Sequence, residues 1–282
     1  MNVHSVSLKG RRENNEDKHN IILNEDGHIP ESKSVNYLAV YDGHGGKYVS
    51  KYLSMNLPKY FMDSAIEYPL TRKYILGIYD KIQSEFRTNH LKHTKHCGST
   101  CLVLIHYKSD KDAKYYINLM NTGDSRCIIC RDNIAIPLSK DHKPNWPEER
   151  FRIESLGGNI YFDGYDHRIK DLSVSRAFGD VAAEPFVTHV PDIYKYKLEK
   201  NDKFIVLACD GLWDKLSNQE VVNFILSEAY EPNTINRKKN KNDENGVQEE
   251  INIAKRLGEY AIERGSGDNV TIVIIFLDSS VL

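Results

Sequence analysis

Tyr37-Leu38-Ala39-Val40-Tyr41-Asp42-Gly43-His44-Gly45-Gly46 reads as an apolar strand that runs into a glycine-rich turn, with an acid at the junction. Phe204-Ile205-Val206-Leu207-Ala208-Cys209 ends in the same way on Asp210-Gly211, and Gly267-Asp268-Asn269 leads into Val270-Thr271-Ile272-Val273-Ile274-Ile275-Phe276. Asp124, in Thr122-Gly123-Asp124-Ser125-Arg126, and Asp214 complete a set of five acids placed at turns. Strands built like this carry carboxylates from distant parts of the chain to one edge of a sheet. Hard cations such as Mg²⁺ and Mn²⁺ find oxygen ligands there.

Working outward, further strand-like segments lie near 3–8, 20–23, 100–107, 114–121, 126–131 and 187–194. Helical segments fall between the strands in blocks rather than in strict alternation, which predicts an α+β fold with mostly antiparallel sheets. Residues 69–92 place Ile75, Ile78, Tyr79, Ile82 and Phe86 at helical spacing, and Ser217-Asn218-Gln219-Glu220 is a capping box that opens a helix through Val221, Phe224 and Ile225. A short helix is expected from Glu148 to Leu156. A last one is expected over about 249–264, with Ile251, Ala254, Leu257, Ala261 and Ile262 turned inward. No repeat or change of composition divides the chain, so 1–282 is expected to be a single domain. The segment 231–250 has almost no apolar residue to offset its ordering entropy and reads as a flexible polar insert.

The totals narrow the function classes. With 282 residues and 40% hydrophobic composition, the chain can bury a sizeable core. Its 38 basic and 40 acidic residues give a net charge of -2, which argues against binding nucleic acid through phosphate neutralisation. The apolar run 270–277 is too short to cross a bilayer, nothing reads as a signal peptide, and Asn2 stands where myristoylation needs glycine. No membrane association is expected, and the expected location is cytoplasmic or nuclear. Five cysteines (Cys97, Cys101, Cys127, Cys130, Cys209) are an odd, sparse set rather than a disulfide framework. Cys127 and Cys130 have the spacing of a redox or zinc pair, but on a strand residues three apart face opposite ways, so both read as structural.

The acids also suggest a chemistry. Asp42 can bridge two ions about 3.5–4 Å apart, and the bare Gly43 leaves its carbonyl approachable; a water shared by such ions is largely hydroxide near neutral pH and can attack phosphorus in line. A serine or threonine alkoxide is a poor leaving group and needs a proton donor, for which His44 is placed. Arg12, in Gly10-Arg11-Arg12-Glu13-Asn14-Asn15-Glu16-Asp17, is a fork that can grip a phosphate, with Glu16 and Asp17 ordering metal-bound waters. His90, His93 and His96 end an amphipathic helix and read as a solvated face.

Taken in order, Gly10-x-Arg12-x-x-x-Glu16-Asp17, Asp42-Gly43-His44-Gly45-Gly46, Cys97-Gly98-Ser99-Thr100, Gly123-Asp124-Ser125-Arg126, Asp141-His142-Lys143-Pro144, Ser175-Arg176-Ala177-Phe178-Gly179-Asp180, Asp210-Gly211-Leu212-Trp213-Asp214 and Gly267-Asp268-Asn269 resemble the metal-dependent protein serine/threonine phosphatases of type 2C. The resemblance runs from Gly10 to Phe276. It implies a central β-sandwich of two antiparallel sheets flanked by α-helices, layered α-β-β-α. It also implies hydrolysis of phosphoserine and phosphothreonine by a metal-bridged hydroxide, without a phosphoenzyme intermediate. By motif, Asp42, the Gly43 carbonyl, Asp210 and Asp268 would hold two Mg²⁺ or Mn²⁺ ions, and Glu16 and Asp17 would act through water. Arg12 would bind phosphate, His44 would be the general acid, and Asp124 with Asp210 and Asp214 would form a weaker third metal site. The implied partners are phosphoprotein substrates, and the implied state is a monomer. The Asp141–Pro144 and Ser175–Asp180 motifs read as chiefly structural. The sequence departs from the family at Arg168-Ile169-Lys170-Asp171-Leu172, one residue shorter than the usual Arg-Val-x-Gly-x-Leu and without its glycine. One rival reading is a catalytically silent, phosphatase-shaped binding module, against which the presence of every expected carboxylate with Arg12 and His44 counts. The other is a two-metal phosphoesterase acting on nucleic acid or small metabolites, and the neutral charge balance speaks against its nucleic-acid version.

Overall fold

Two five-stranded antiparallel sheets form the centre of the structure, a computed structural model that describes residues 1–23, 35–63, 65–230 and 251–278. The expected insert at 231–250 lies outside the described residues. The first sheet runs in the order Asn2–Leu8, Val270–Phe276, Asp202–Ala208, Arg126–Arg131, Ile134–Pro137. The second runs Asp192–Lys197, Tyr115–Thr122, Cys101–Lys108, Val35–Tyr41, Lys18–Ile22. Their inner faces meet through Leu38, Val40, Leu102, Leu104, Ile205, Leu207, Val273 and Ile275. Period-two alternation sends the intervening residues outward. Tyr37, Ala39, Tyr41, Val103 and Ile105 therefore pack under the helices Tyr48–Asn56 and Arg72–Thr88. On the far side Phe204, Val206, Ile272 and Ile274 pack under Asn218–Tyr230 and Ile253–Glu263. The layering is the expected α-β-β-α. All five cysteines are buried and free, and Cys127 and Cys130 lie in different cores, as opposite faces of one strand require.

Local chemistry sets the helix ends. Thr71 caps Arg72–Thr88 by accepting from the Tyr74 N–H at 3.2 Å, so this helix is shorter than the expected 69–92. Ser217 and Glu220 form the reciprocal capping box, with Glu220 Oε2 accepting from the Ser217 N–H at 2.8 Å and Ser217 Oγ from the Glu220 N–H at 3.3 Å. The last helix begins at Ile253, where the Asn252 side chain accepts from the Lys255 N–H. Among the described residues no helix is long and apolar enough to cross a membrane.

Three expectations need correction. The strand placed at 187–194 is Asp192–Lys197: Pro191 has no N–H for a ladder, and Val187 instead joins a small core with Ile153, Ile169 and Val174. The strand Ile134–Pro137 was not anticipated; it pairs with Arg126–Arg131 across Asp132 and Asn133, both with positive φ (50° and 66°). His90 is not solvated: it is half-buried, bonded to the Tyr48 hydroxyl at 3.0 Å and packed against Tyr52 and Phe86. His93 stacks on Tyr48 at 4.5 Å yet stays exposed, as does His96.

The helix Pro147–Ser155 is tied down by an ion-pair network. Glu149 Oε1 accepts from Arg176 Nη2 at 2.6 Å and Oε2 from Arg152 Nη2 at 2.8 Å, while Arg176 Nη1 also reaches Asp192 Oδ1 at 2.9 Å. Burial disfavours the Glu149 carboxylate, but the bonds from Arg176 and Arg152 outweigh it and hold the group down to about 2. A depressed acid stabilises the fold above its unfolded value and loses that contribution as pH falls through the folded one. Glu149→Gln is therefore expected to cost about 3 kcal/mol at pH 7, a fall of roughly 6–12 °C in Tm, and the difference should shrink below about pH 4. Thermal melts at pH 7 and pH 3 check this; equal melting at pH 7 would contradict it.

Candidate metal centre and its cleft

Three strand ends deliver the central acids. Asp42 leaves Val35–Tyr41, and its N–H donates to Thr100 Oγ1 at 3.1 Å while its carbonyl accepts from the Thr100 N–H at 2.8 Å. Asp124 follows Tyr115–Thr122 after Gly123, whose φ of 110° turns the chain back toward the cleft. Asp210 follows Asp202–Ala208 and opens the short helix Asp210–Trp213. One carboxylate oxygen from each of Asp42, Asp124 and Asp210 falls within 4.8 Å of the others. They line a cleft of about 530 Å³ with Arg12, Glu16, His44 and Asp268.

A fourth strand end closes the floor from the other direction. Asn269, just before Val270–Phe276, accepts from the Glu16 N–H at 2.9 Å and donates to the carbonyls of Lys9 and Asn14. It thereby clasps the loop that carries Arg12, Glu16 and Asp17. The backbones run so close that a Cβ on Gly10 would meet the Asp268 carbonyl oxygen at 2.0 Å, and one on Gly43 the Glu16 carbonyl oxygen at 2.4 Å. Only glycine fits at these two places.

The electrostatics of the cluster call for added positive charge. Burial first, and then Asp17, Asp210, Asp124 and Asp268, push Asp42 well above the carboxylate range. Burial and Asp124 do the same to Asp210, against the pull of Lys143. Burial pushes Asp17 up to about 6, although Thr271 donates to its Oδ2 at 2.7 Å. The other oxygen, Asp17 Oδ1, is buried without a hydrogen-bond partner. Converging oxygens, an orphaned buried acceptor and mutually repelling carboxylates fit a divalent, oxygen-preferring cation. A lysine enters the cluster: Lys143 Nζ pairs with Asp124 Oδ2. Burial disfavours its charge, but Asp124 and Asp210 raise its affinity for the proton above that of an ordinary lysine.

His44 lies on the short strand Gly43–His44, paired to Gly98–Ser99, which in turn pairs with Phe178–Gly179. That three-stranded patch brings in a partner 136 positions away: His44 Nε2 is 2.6 Å from Oδ2 of Asp180, a buried acid. Burial alone would lower the imidazole, but the charge and hydrogen bond of Asp180 raise it. The pair sits directly over Gly98, where a Cβ would lie 2.0 Å from Asp180 Oδ2 and 2.5 Å from His44 Nε2.

Not every predicted ligand joins the acidic triad. Asp268 lines the cleft, but its Oδ2 is held by Arg12 Nη2 at 2.7 Å and its Oδ1 by the Asn269 N–H at 2.6 Å. Arg12 thus reaches the cleft already paired, with its side chain 61% exposed. Glu16 turns one oxygen to the Gly46 N–H at 3.1 Å. Asp214 is exposed at the end of its short helix and stands outside the triad, in which Asp124 joins Asp42 and Asp210 instead. Two motifs read as structural supply partners of cleft residues: Lys143 to Asp124 and Asp180 to His44. His142 does keep a structural place: Nδ1 accepts from the Gly123 N–H at 3.1 Å and supports the Asp124 turn. At the departure, Ile169 and Leu172 exchange both backbone hydrogen bonds at 3.0 Å, with Lys170 and Asp171 at φ 50° and 68°. The shortened segment is a tight hairpin turn made without glycine, and Arg168 and Asp171 border the cleft.

The model of the family described as protein phosphatase 2C matches residues 1–270. A PP2C-like domain-containing protein of Acanthamoeba polyphaga mimivirus is 46% identical over 167 residues, covering 57% of this chain and 93% of that protein. The integrin-linked kinase-associated serine/threonine phosphatase 2C of Homo sapiens is 37% identical over 290 aligned positions, covering 95% of this chain and 70% of that one. Among solved structures, a serine-threonine phosphatase 2C from Toxoplasma gondii aligns with a TM-score of 0.78 over 98% of this chain and 94% of its own. At 19% identity that likeness speaks to the fold alone.

Proposed function

The chain belongs to the protein phosphatase 2C family, and on that premise we propose that it hydrolyses phosphoserine and phosphothreonine in proteins, using Mg²⁺ or Mn²⁺ held at its acidic strand ends. The observation that carries the reading is the meeting of Asp42, Asp124 and Asp210 oxygens within 4.8 Å at one end of the sandwich. Asp42, the Gly43 carbonyl, Asp210 and Asp268 are assigned to two ions, Glu16 and Asp17 to their waters, and Asp124 with Asp214 to a weaker third site. When bound, such ions supply an activated water and neutralise phosphate charge.

The chain's own groups do the rest. Arg12 offers a planar fork for phosphate oxygens, and its partner Asp268 is one of the residues that would hold a cation. His44 has Nε2 committed to Asp180, which fixes the ring and favours its protonated form, leaving Nδ1 to hand a proton to the leaving alkoxide. The five cysteines are buried and none lines the cleft, so a cysteinyl-phosphate route has no nucleophile there.

Phosphate release from a phosphothreonine peptide is the test, run without metal, with Mg²⁺, with Mn²⁺, and with Mn²⁺ plus excess chelator. Turnover that appears with metal and vanishes with chelator is expected. A folded protein that releases no phosphate under any of the four conditions overturns the proposal in favour of a phosphatase-shaped binding module.

A further inference from the structure

A second cavity of about 550 Å³ adjoins the cleft and shares Gly45 and His96 with it. Lys92, His93 and Lys95 line it over Leu91, and among the described residues no acidic one does. From Arg87 to His96 the chain holds six basic or imidazole side chains and no carboxylate. Arg87 is neutralised by Glu184 at 2.8 Å, whereas Lys92 and Lys95 are exposed and make no ion pair among the described residues. The shelf is fixed in place. Thr94 Oγ1 donates to the Phe86 carbonyl at 3.1 Å, the Lys95 carbonyl accepts from the Ala182 N–H at 3.0 Å, and His93 stacks on Tyr48. The His96 carbonyl lies so near Gly45 that a Cβ there would meet it at 2.2 Å, so groove and cleft share a wall. Elsewhere the cleft is lined by Arg168 and Asp171, the former paired with Asp163.

We infer that this groove is a specificity-determining surface that takes an acidic stretch of the substrate, aspartate and glutamate side chains flanking the phosphoresidue on one side. The inference rests on the phosphatase reading of the adjoining cleft. A phosphoresidue seated against Arg12 leaves its chain to run out over one rim or the other. Charge complementarity selects the Lys92–Lys95 rim, two cations without a carboxylate partner among the described residues, over the rim where Asp171 stands beside Arg168.

The experiment compares two phosphothreonine peptides, one flanked by alanines and one by glutamates, with wild-type protein and the Lys92→Ala/Lys95→Ala double variant in Mn²⁺. Wild type is expected to prefer the acidic peptide by about tenfold in kcat/KM, through KM, as two partly screened ion pairs would give. The preference should fall toward one in 0.5 M salt, where the screening length is only about 4 Å. It should also fall toward one in the double variant, with the alanine-flanked peptide as internal reference. Fluorescence anisotropy of the same peptides reads the groove without turnover. A preference equal in wild type and variant, or absent from wild type, overturns the inference. Wild-type hydrolysis of p-nitrophenyl phosphate without any flank preference leaves the phosphatase reading standing, and no hydrolysis of either kind refutes that reading instead.

Discussion

Asp42→Asn is expected to lower turnover at least about a hundredfold and, at the same time, to make the metal-free protein harder to melt. Both effects come from one carboxylate. In the folded chain, burial and four neighbouring acids push Asp42 well above the carboxylate range. An acid whose folded-state value is raised stabilises only while it stays protonated, and that contribution is lost as pH rises through the folded value. At neutral pH its charge therefore opposes folding unless a cation answers it, and asparagine keeps the shape without the charge. Melting curves in chelator should place the variant above wild type. Titration with Mn²⁺ should raise the wild-type Tm strongly and the variant only weakly, because binding to the native state alone stabilises it by mass action. A variant that melts below wild type in chelator, or that keeps the full Mn²⁺ shift, would show that Asp42 is not the centre of the acidic site.

Much of this site was legible because strand ends are legible. An apolar run that stops on Asp-Gly announces both a strand and the place where its side chains must leave the core, and Asp42 and Asp210 stand where that reasoning puts them. Asp124 meets Asp210, as its motif implies, and Asp42 as well, a contact that depends on a φ of 110° at Gly123 that sequence does not display. The hairpin at Asp132-Asn133 does carry a local signal, two turn-forming residues between apolar runs. Lys143 and Asp180 are different. Nothing local distinguishes a lysine that reaches into an acidic cluster from one in solvent, or an aspartate at a strand corner from a histidine's partner. Both contacts depend on sheet packing that joins residues 19 and 136 positions apart. Motif order names candidate members of the site, and only the packed structure displays their pairings.

The pairing of His44 with Asp180 leads to the second large effect. Asp180→Asn is expected to lower kcat on a phosphothreonine peptide by roughly ten- to a hundredfold while p-nitrophenyl phosphate turnover changes little. An alkyl alkoxide needs a proton as it leaves, whereas nitrophenolate leaves without one, so the ratio of the two losses isolates proton donation from metal binding and phosphate grip. His44→Ala should show the same asymmetry in larger measure, and adding Asp180→Asn to it should cost almost nothing more, since the two act as a unit. The pH dependence gives an independent check. Asp180 raises the imidazole against the opposing effect of burial, so its removal should move the alkaline fall in peptide turnover to lower pH. Gly98→Ala reaches the same pair by geometry, because the added methyl would press on both Asp180 Oδ2 and His44 Nε2. It should reproduce the asymmetry with Mn²⁺ affinity retained. Equal losses on peptide and aryl phosphate in Asp180→Asn would mean that the aspartate only supports the fold of the Gly98 patch, and His44 would then need another partner to stay charged in a buried setting.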